Sequence, residues 1–226
     1  SAISSGITHL YFCSSLLVRL GLNFSATNIS FSVCVIIYPL VSLPNVVVMH
    51  PCDDVSTKEL TKQLPSLGQP SYTRTARNKT PVLYDGRENE IRIGKGIVLS
   101  EGSDVAIVAC GVLVHEAMDA AKALSDEGIS ATVVDMHTIK PLDTDLLDDL
   151  AKKCGAVVTA EDHSIIGGLG GAVAEHLISS HPVPMERIGV PDRFGESAGS
   201  EEMLEMMGLK SHHISDAAKK AIARKV

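Results

Sequence analysis

The sequence has no tryptophan, and only four tyrosines and four phenylalanines among its 226 residues. Any core must therefore be filled by Val, Ile, Leu, Met and Ala, and an apolar fraction of 45% is ample for one large domain or two small ones. There is no run of Lys or Arg and the net charge is −7, which rules against non-specific nucleic-acid binding, because that needs a basic face. The five cysteines, Cys13, Cys34, Cys52, Cys110 and Cys154, are widely spaced and form no C-x-x-C pair. Neither a zinc site nor a disulfide framework is indicated, and reduced, partly buried thiols in a cytoplasmic protein are expected.

Charge is nearly missing from the first 50 residues, where Arg19 stands alone. No basic segment precedes the apolar stretch, as a signal peptide requires. Asn23, Asn28, Ser30, Ser32 and Pro39 interrupt the stretch well short of the ~20 apolar residues that span a bilayer. No membrane association is expected, and residues 10–40 are expected to pack poorly. "NFS" and "NIS" match the glycosylation sequon, a tripeptide common by chance.

From residue 43 the chain acquires period. "LPNVVVMHP" reads as a short buried strand from Val46 to Met49 closed by Pro51, "DDVSTKELTKQLP" as a helix stopped at Pro65, and "PSYTRTAR" as a strand. "GIVLSEGSDVAIVACG" gives two strands around the turn "EGSD". In "VLVHEAMDAAKALSDEG", Val114, Ala117, Met118, Ala121 and Leu124 fall on one helical face and Gly128 closes it. Then come a strand "ISATVVDM", a break at Pro141, a helix "DTDLLDDLAKKCG", a strand "AVVTAED", a helix with a glycine-rich start at "GGLGG", and a strand "MERIGV". Two closing helices, "SEEMLEMMG" and "SDAAKKAIARKV", are expected to be capped by Ser200 and Ser215, with Met206 and Met207 in the core. Alternating strands and helices with short connections predict an α/β fold: a three-layer sheet with mostly parallel strands, preceded by a partial second α/β domain. The expected divisions are 1–42, an atypical apolar segment, then 43–95 and 96–226.

The run "GSDVAIVACGVLVHEAMDAAKALSDEGISATVVDMHTIKPLD" resembles the C-terminal domain of transketolases and their thiamine-diphosphate relatives. The likeness continues through "VVTAEDHSIIGGLGGAVAEHL", "ERIGVPDRFGESAG" and "EEMLEMMGL". It extends back through "SLPNVVVMHPCD" and "YTRTAR", which are similar to the end of that family's pyrimidine-binding domain, so it covers residues 43–226. "GITH" at 6–9 is similar to the family signature "DG-TH". The helix that usually links that signature to "LPN" is replaced by 33 residues, Leu10 to Ser42, without an acid, and Leu10 to about Tyr38 reads as text foreign to the pattern.

The resemblance implies transfer of two-carbon ketol units between sugar phosphates with thiamine diphosphate and Mg, both held mainly by another section of the enzyme or a second protomer. It implies that His9 handles protons at the substrate, with Ser5 standing where the family has an aspartate, and that Arg77 binds the sugar phosphate. A guanidinium forks onto phosphate, and an imidazole exchanges protons near neutrality, so the residue types suit the tasks. Arg74, out of phase with Arg77 along the strand, is read as a neighbour without that contact. "GGLGG" lacks the spacing of a dinucleotide loop and implies helix packing instead. "AEDH", with Glu161 and His163, sits at a strand's carboxyl end, a common place for a site. Two readings of function stand. One is the C-terminal section of such an enzyme, with the beta subunit of a 2-oxoacid dehydrogenase and a deoxyxylulose-phosphate synthase as rival relatives. The other is a non-catalytic dimerisation or regulatory module.

Overall fold

The computed structural model describes residues 37–76 and 78–225. The chain runs α1 (Ile37–Ser42), β1 (Val47–Met49), α2 (Asp54–Gln63), a 3-10 turn (Leu64–Ser66), β2 (Ser71–Thr73), a second 3-10 turn (Glu88–Glu90), β3 (Ile97–Ser100), β4 (Val105–Ala109), α3 (Leu113–Asp126), β5 (Ala131–Asp135), β6 (Thr138–Lys140), α4 (Thr144–Cys154), β7 (Val157–Ser164), α5 (Leu169–Ser180), β8 (Met185–Val190), α6 (Ser200–Met206) and α7 (Ser211–Ile222). Residues 10–36 of the stretch expected to pack poorly lie outside the described residues. From Ile37 the chain is helical, and Ile37 itself is buried.

The main sheet has the order β3-β5-β4-β7-β8. Strands β4, β5, β7 and β8 are parallel and β3 is antiparallel to β5. Successive side chains of a strand face opposite ways, and β4 divides accordingly. Val105, Ile107 and Ala109 join one core with α3 and α7, through Leu113, Ala117, Leu124, Ile214 and Ala218. Ala106, Val108 and Cys110 join the other with α4 and α5, through Leu147, Ala151, Val173 and Leu177. Both faces are thus covered by helices, which is why β4 and β5 read as unbroken apolar runs. The result is the three-layer, mostly parallel α/β arrangement that the alternation implies.

Several local details add to the expectations or correct them. The two strands around "EGSD" are β3 and β4, as read, and they do not pair with each other, because β5 lies between them. Asp104 and Ser103 instead take the turn to Ser130, the residue leading into β5, through Ser130 N donating to Asp104 Oδ2 at 2.7 Å and Asp104 N to Ser130 O at 2.7 Å. Residues 138–140, before the break read at Pro141 and given no element of their own, form β6, which crosses to a second sheet of order β2-β1-β6 and pairs antiparallel with β1. There the Lys140 ammonium donates to the carbonyl of Val41 at 2.7 Å, satisfying the free end of α1. The last helix starts at Ser211, not Ser215, with Lys210 extended before it. Ser215 lies inside the helix, where its hydroxyl donates to the carbonyls of Ser211 and Ala120 and so touches α3. Gly199, not Ser200, precedes α6. Of the two methionines, Met207 is in the core and Met206 is exposed.

Candidate functional site

Strands β1 and β2 are parallel neighbours, so both carboxyl ends leave the second sheet on one side. A cleft of about 660 Å³ opens there, lined by residues after β1, including Cys52, Asp53, Asp54, Thr57 and Lys58, and residues after β2, including Thr75, Ala76, Asn78 and Lys79. The carboxyl edge of parallel strands is the usual ligand side of such sheets. Arg77 lies outside the described residues, but its chain neighbours Ala76 and Asn78 both line the cleft. His9 also lies outside them.

The cleft's floor is rigid. Asp53 caps α2: its carboxylate accepts from Ser56 N at 2.7 Å, while its own N–H donates to Ser56 Oγ at 3.1 Å. Its other oxygen accepts from Leu83 N at 2.8 Å and Tyr84 N at 3.2 Å. That carboxylate is therefore committed to structure. Behind it, Tyr84 Oη and Cys52 Sγ donate to Asp135 Oδ2 at 2.8 and 3.4 Å. Burial pushes the Asp135 carboxyl up to about 7 against the pull of these two donors, and the same burial raises the Cys52 thiol far out of the nucleophilic range. What remains to meet a ligand is mixed: the exposed Asp54 carboxylate, Lys58 and Lys79, which have no ion-pair partner among the described residues, and Thr75, while the Thr57 hydroxyl donates to the carbonyl of Asp53 at 2.6 Å.

One wall of this region is locked to the main sheet. At the carboxyl ends of β4 and β7, where chain order reverses and open α/β sheets keep their crevice, the space is filled by His50 and Arg74 from the second sheet. Asp162 reaches Arg74 Nη2 at 3.0 Å and His50 Nε2 at 3.5 Å. His50 N donates to the carbonyl of His137 at 2.7 Å, and Gly111 N donates to the carbonyl of His50 at 3.0 Å. Burial lowers the His50 imidazole to about 4, so it is neutral at physiological pH. Burial alone would raise Asp162, but the charges that face it, the Arg74 guanidinium and His50 when protonated, more than offset it and hold the carboxyl below its ordinary value. Arg74 is therefore a half of an ion pair and not the idle neighbour that strand alternation suggests. Asp162 and His50 were not singled out in the sequence. "AEDH" marked the right strand end, but the charge that matters lies between the two residues noted.

Glu161 faces the other way and explains "GGLGG". Its two carboxylate oxygens accept from Leu169 N and Gly170 N, both at 2.8 Å, at the start of α5. A Cβ on Gly168 would lie 1.9 Å from Glu161 Oε2. The glycines let the backbone close on an internal carboxylate, so these amides are not free for a phosphate. Burial raises Glu161 to about 7, with the two amide donors opposing. A raised carboxyl favours the fold below its unfolded value near 4.5, and that contribution is lost as pH rises to about 7. Glu161→Gln should therefore gain on the native protein across that window, by on the order of 3 kcal/mol, and run parallel to it above pH 8. Urea unfolding at several pH values checks this, because the other buried titrating groups are common to both proteins and cancel in the difference. A constant offset at every pH would show that Glu161 ionises as if exposed.

The Transketolase, C-terminal domain family model matches residues 94–214, more than half of the chain. The chain belongs to the transketolase family. Among curated relatives, it is 40% identical over 184 residues to a 6-deoxy-6-sulfo-D-fructose transketolase subunit of Clostridium sp. (strain MSTE9), with 81% of this chain and 57% of the relative covered. It is 39% identical over 198 residues to a putative transketolase C-terminal section of Methanocaldococcus jannaschii, covering 86% and 61%. It is 38% identical to a 1-deoxy-D-xylulose-5-phosphate synthase of Trichormus variabilis, covering 81% of this chain but only 29% of that protein. Among solved structures, a split-gene transketolase described as an inactive beta4 tetramer superposes with a TM-score of 0.81 at 42% identity, covering 84% of this chain and 62% of that one. The chain spans about three fifths of the length of the transketolase subunit and section it matches. The one cluster of three metal-capable side chains among the described residues, Glu205, His212 and His213, contains two nitrogen donors and lies on α6 and α7, whereas magnesium asks for oxygens. No helix among the described residues is long and apolar enough to cross a membrane.

Proposed function

We propose that this chain is the C-terminal section of a split transketolase-type enzyme that moves two-carbon ketol units between sugar phosphates. Thiamine diphosphate and magnesium belong on a companion N-terminal section, or on a second protomer, and the assembly works in the cytoplasm. The observation that carries the reading is local. Arg77, which the family resemblance assigns to the sugar phosphate, is flanked in the chain by two residues that line the cleft above β1 and β2. Lys58 and Lys79 balance the Asp53 and Asp54 carboxylates in the same cleft, so Arg77 would supply the excess positive charge that a phosphate pocket needs. His9 is the group for proton transfer at the carbon end of the substrate. The division at 43–95 and 96–226 would then separate the cleft from the sheet that braces it.

Reconstitution tests the reading. Calorimetry should find tight thiamine diphosphate binding only after an N-terminal section is added, and ketol transfer from xylulose 5-phosphate should appear only then. Turnover by this chain alone would overturn it. A solved neighbour of 42% identity is described as inactive when assembled from one kind of subunit, which favours the need for a companion.

In the reconstituted enzyme, Arg77→Ala should raise KM for phosphorylated sugars and barely change it for free ones. Losing one charge-assisted contact costs about 1.5–3 kcal/mol, roughly tenfold to a hundredfold in kcat/KM. The loss appears in KM because a phosphate held away from the reacting carbonyl is bound equally in ground and transition states. Arg77→Lys should recover only part, since a point charge does not reproduce the fork. Equal losses for phosphorylated and free sugars would make Arg77 structural.

A further inference from the structure

The turn between α6 and α7 carries a set of donors that neither the fold nor the cleft uses. Glu205 closes the last turn of α6, and His212 and His213 open α7. One donor atom from each lies within 4.8 Å of the others. Glu205 Oε1 is already 3.2 Å from His212 Nε2, and the two imidazole rings stand 3.9 Å apart between centroids, tilted by 37°. His213 Nδ1 is shielded from solvent and has no hydrogen-bond partner among the described residues. A buried nitrogen without a partner is uncommon, and the same imidazole contributes a nitrogen to the cluster.

The backbone beneath these side chains is fixed. Gly208, at φ +73, turns the chain out of α6, with Leu209 N donating to the carbonyl of Leu204 at 2.8 Å and Gly208 N to that of Glu205 at 3.0 Å. Met207, Leu209 and Ile214 anchor the turn in the core. The nearest cation in sequence, Lys210, is engaged elsewhere, by Glu116 at 2.8 Å and Glu201 at 2.6 Å. Glu205 is thus left to the histidines.

We propose that Glu205, His212 and His213 form a site for a borderline divalent transition ion, Zn²⁺ in the first instance, that staples the carboxyl end of α6 to the amino end of α7. Two imidazoles and one carboxylate suit zinc, cobalt or nickel and do not suit magnesium. Zinc–donor distances of about 2.0–2.2 Å require the three atoms to draw together, and the exposed Glu205 and His212 side chains are free to rotate inward while His213 stays anchored. Three protein ligands leave a fourth position for water. The site is separate from the cofactor metal of the proposed enzyme and does not rest on that reading.

Calorimetric titration of the full chain with ZnCl₂ in phosphate-free buffer tests it. One equivalent should bind with a micromolar Kd at pH 7.5 and several-fold more weakly at pH 5.5, where protons compete for the imidazoles. MgCl₂ should give no heat. Glu205→Gln, His212→Gln and His213→Gln should each weaken binding at least tenfold, while His181→Gln, outside the cluster, should leave it unchanged. Saturating Zn²⁺ should also raise the unfolding midpoint by several degrees in the native chain and not in the three variants. Should a variant fail to fold, Co²⁺ decides on the native chain: visible ligand-field bands at one equivalent support the site. Their absence, or Zn²⁺ binding untouched by all three substitutions, or equal weakening in His181→Gln, overturns it.

Discussion

Gly111→Ala is expected to cost about 2–5 kcal/mol of stability. Two effects add. Gly111 sits at φ +59, where an L side chain costs about 1–2 kcal/mol. A Cβ there would also lie 2.2 Å from His50 Cε1 and 2.4 Å from Nε2, a true overlap, worth about 1–3 kcal/mol in a packed interior. The ring has nowhere to go. It is buried, Asp162 and Arg74 lie against its Nε2, Cys110 Sγ lies 3.7 Å from its Nδ1, and both backbone polar groups of His50 are hydrogen-bonded. Gly128→Ala is the control, since Gly128 has φ +80 but nothing within 4 Å of the added carbon, and it should show the backbone part alone. Adding His50→Ala to Gly111→Ala should restore stability relative to Gly111→Ala, because it removes the overlap. Urea unfolding of the four proteins checks the argument. If Gly111→Ala and Gly128→Ala lose the same amount, His50 is not wedged as described.

The same seam shows what could and could not be read from the sequence. Elements whose signal lies within a dozen residues were legible. The apolar faces of α3 and α4 and the runs of β4, β5 and β7 gave the layers, and Gly128 and Gly155, both at positive φ, marked two helix ends correctly. Contacts decided by topology were not. Three residues of β6 carry no strand signal of their own and become one by meeting β1, about 90 residues earlier. The turn "EGSD" joins two strands as read, but the insertion of β5 between them depends on the order of the sheet. Ser215 has the chemistry of a cap, but the apolar spacing of Ile214, Ala217, Ala218 and Ala221 belongs to a helix already under way. For the candidate site, family resemblance supplied Arg77 and His9. The cleft's lysines and the Asp162 pair depend on which strand ends face each other, and no spacing encodes that.

Asp162→Ala is expected to cost about 3–5 kcal/mol, for an electrostatic reason. It would remove the carboxylate 3.0 Å from the guanidinium of Arg74, whose side chain is only 12% exposed. Arg74→Ala should do comparable harm from the other side, leaving Asp162 with a neutral imidazole for company. Removing both charges at once is a different matter. In Asp162→Leu combined with Arg74→Met neither charge of the pair remains, and stability should recover to within about 1–2 kcal/mol of the native protein. A double-mutant cycle by urea unfolding measures this, and additive losses would mean that the two side chains do not form a buried pair. The cycle also bears on activity. Arg74 stands three residues before Arg77, and its backbone N–H donates to the carbonyl of Met49 at 2.9 Å. The chain that carries Arg77 thus leaves β2 from a point pinned to β1 by its backbone and to β7 by its side chain. Any loss of sugar-phosphate binding in Arg74 variants should be matched by Asp162→Ala and largely restored in the double variant, whereas the loss in Arg77→Ala should persist whichever residues occupy 74 and 162.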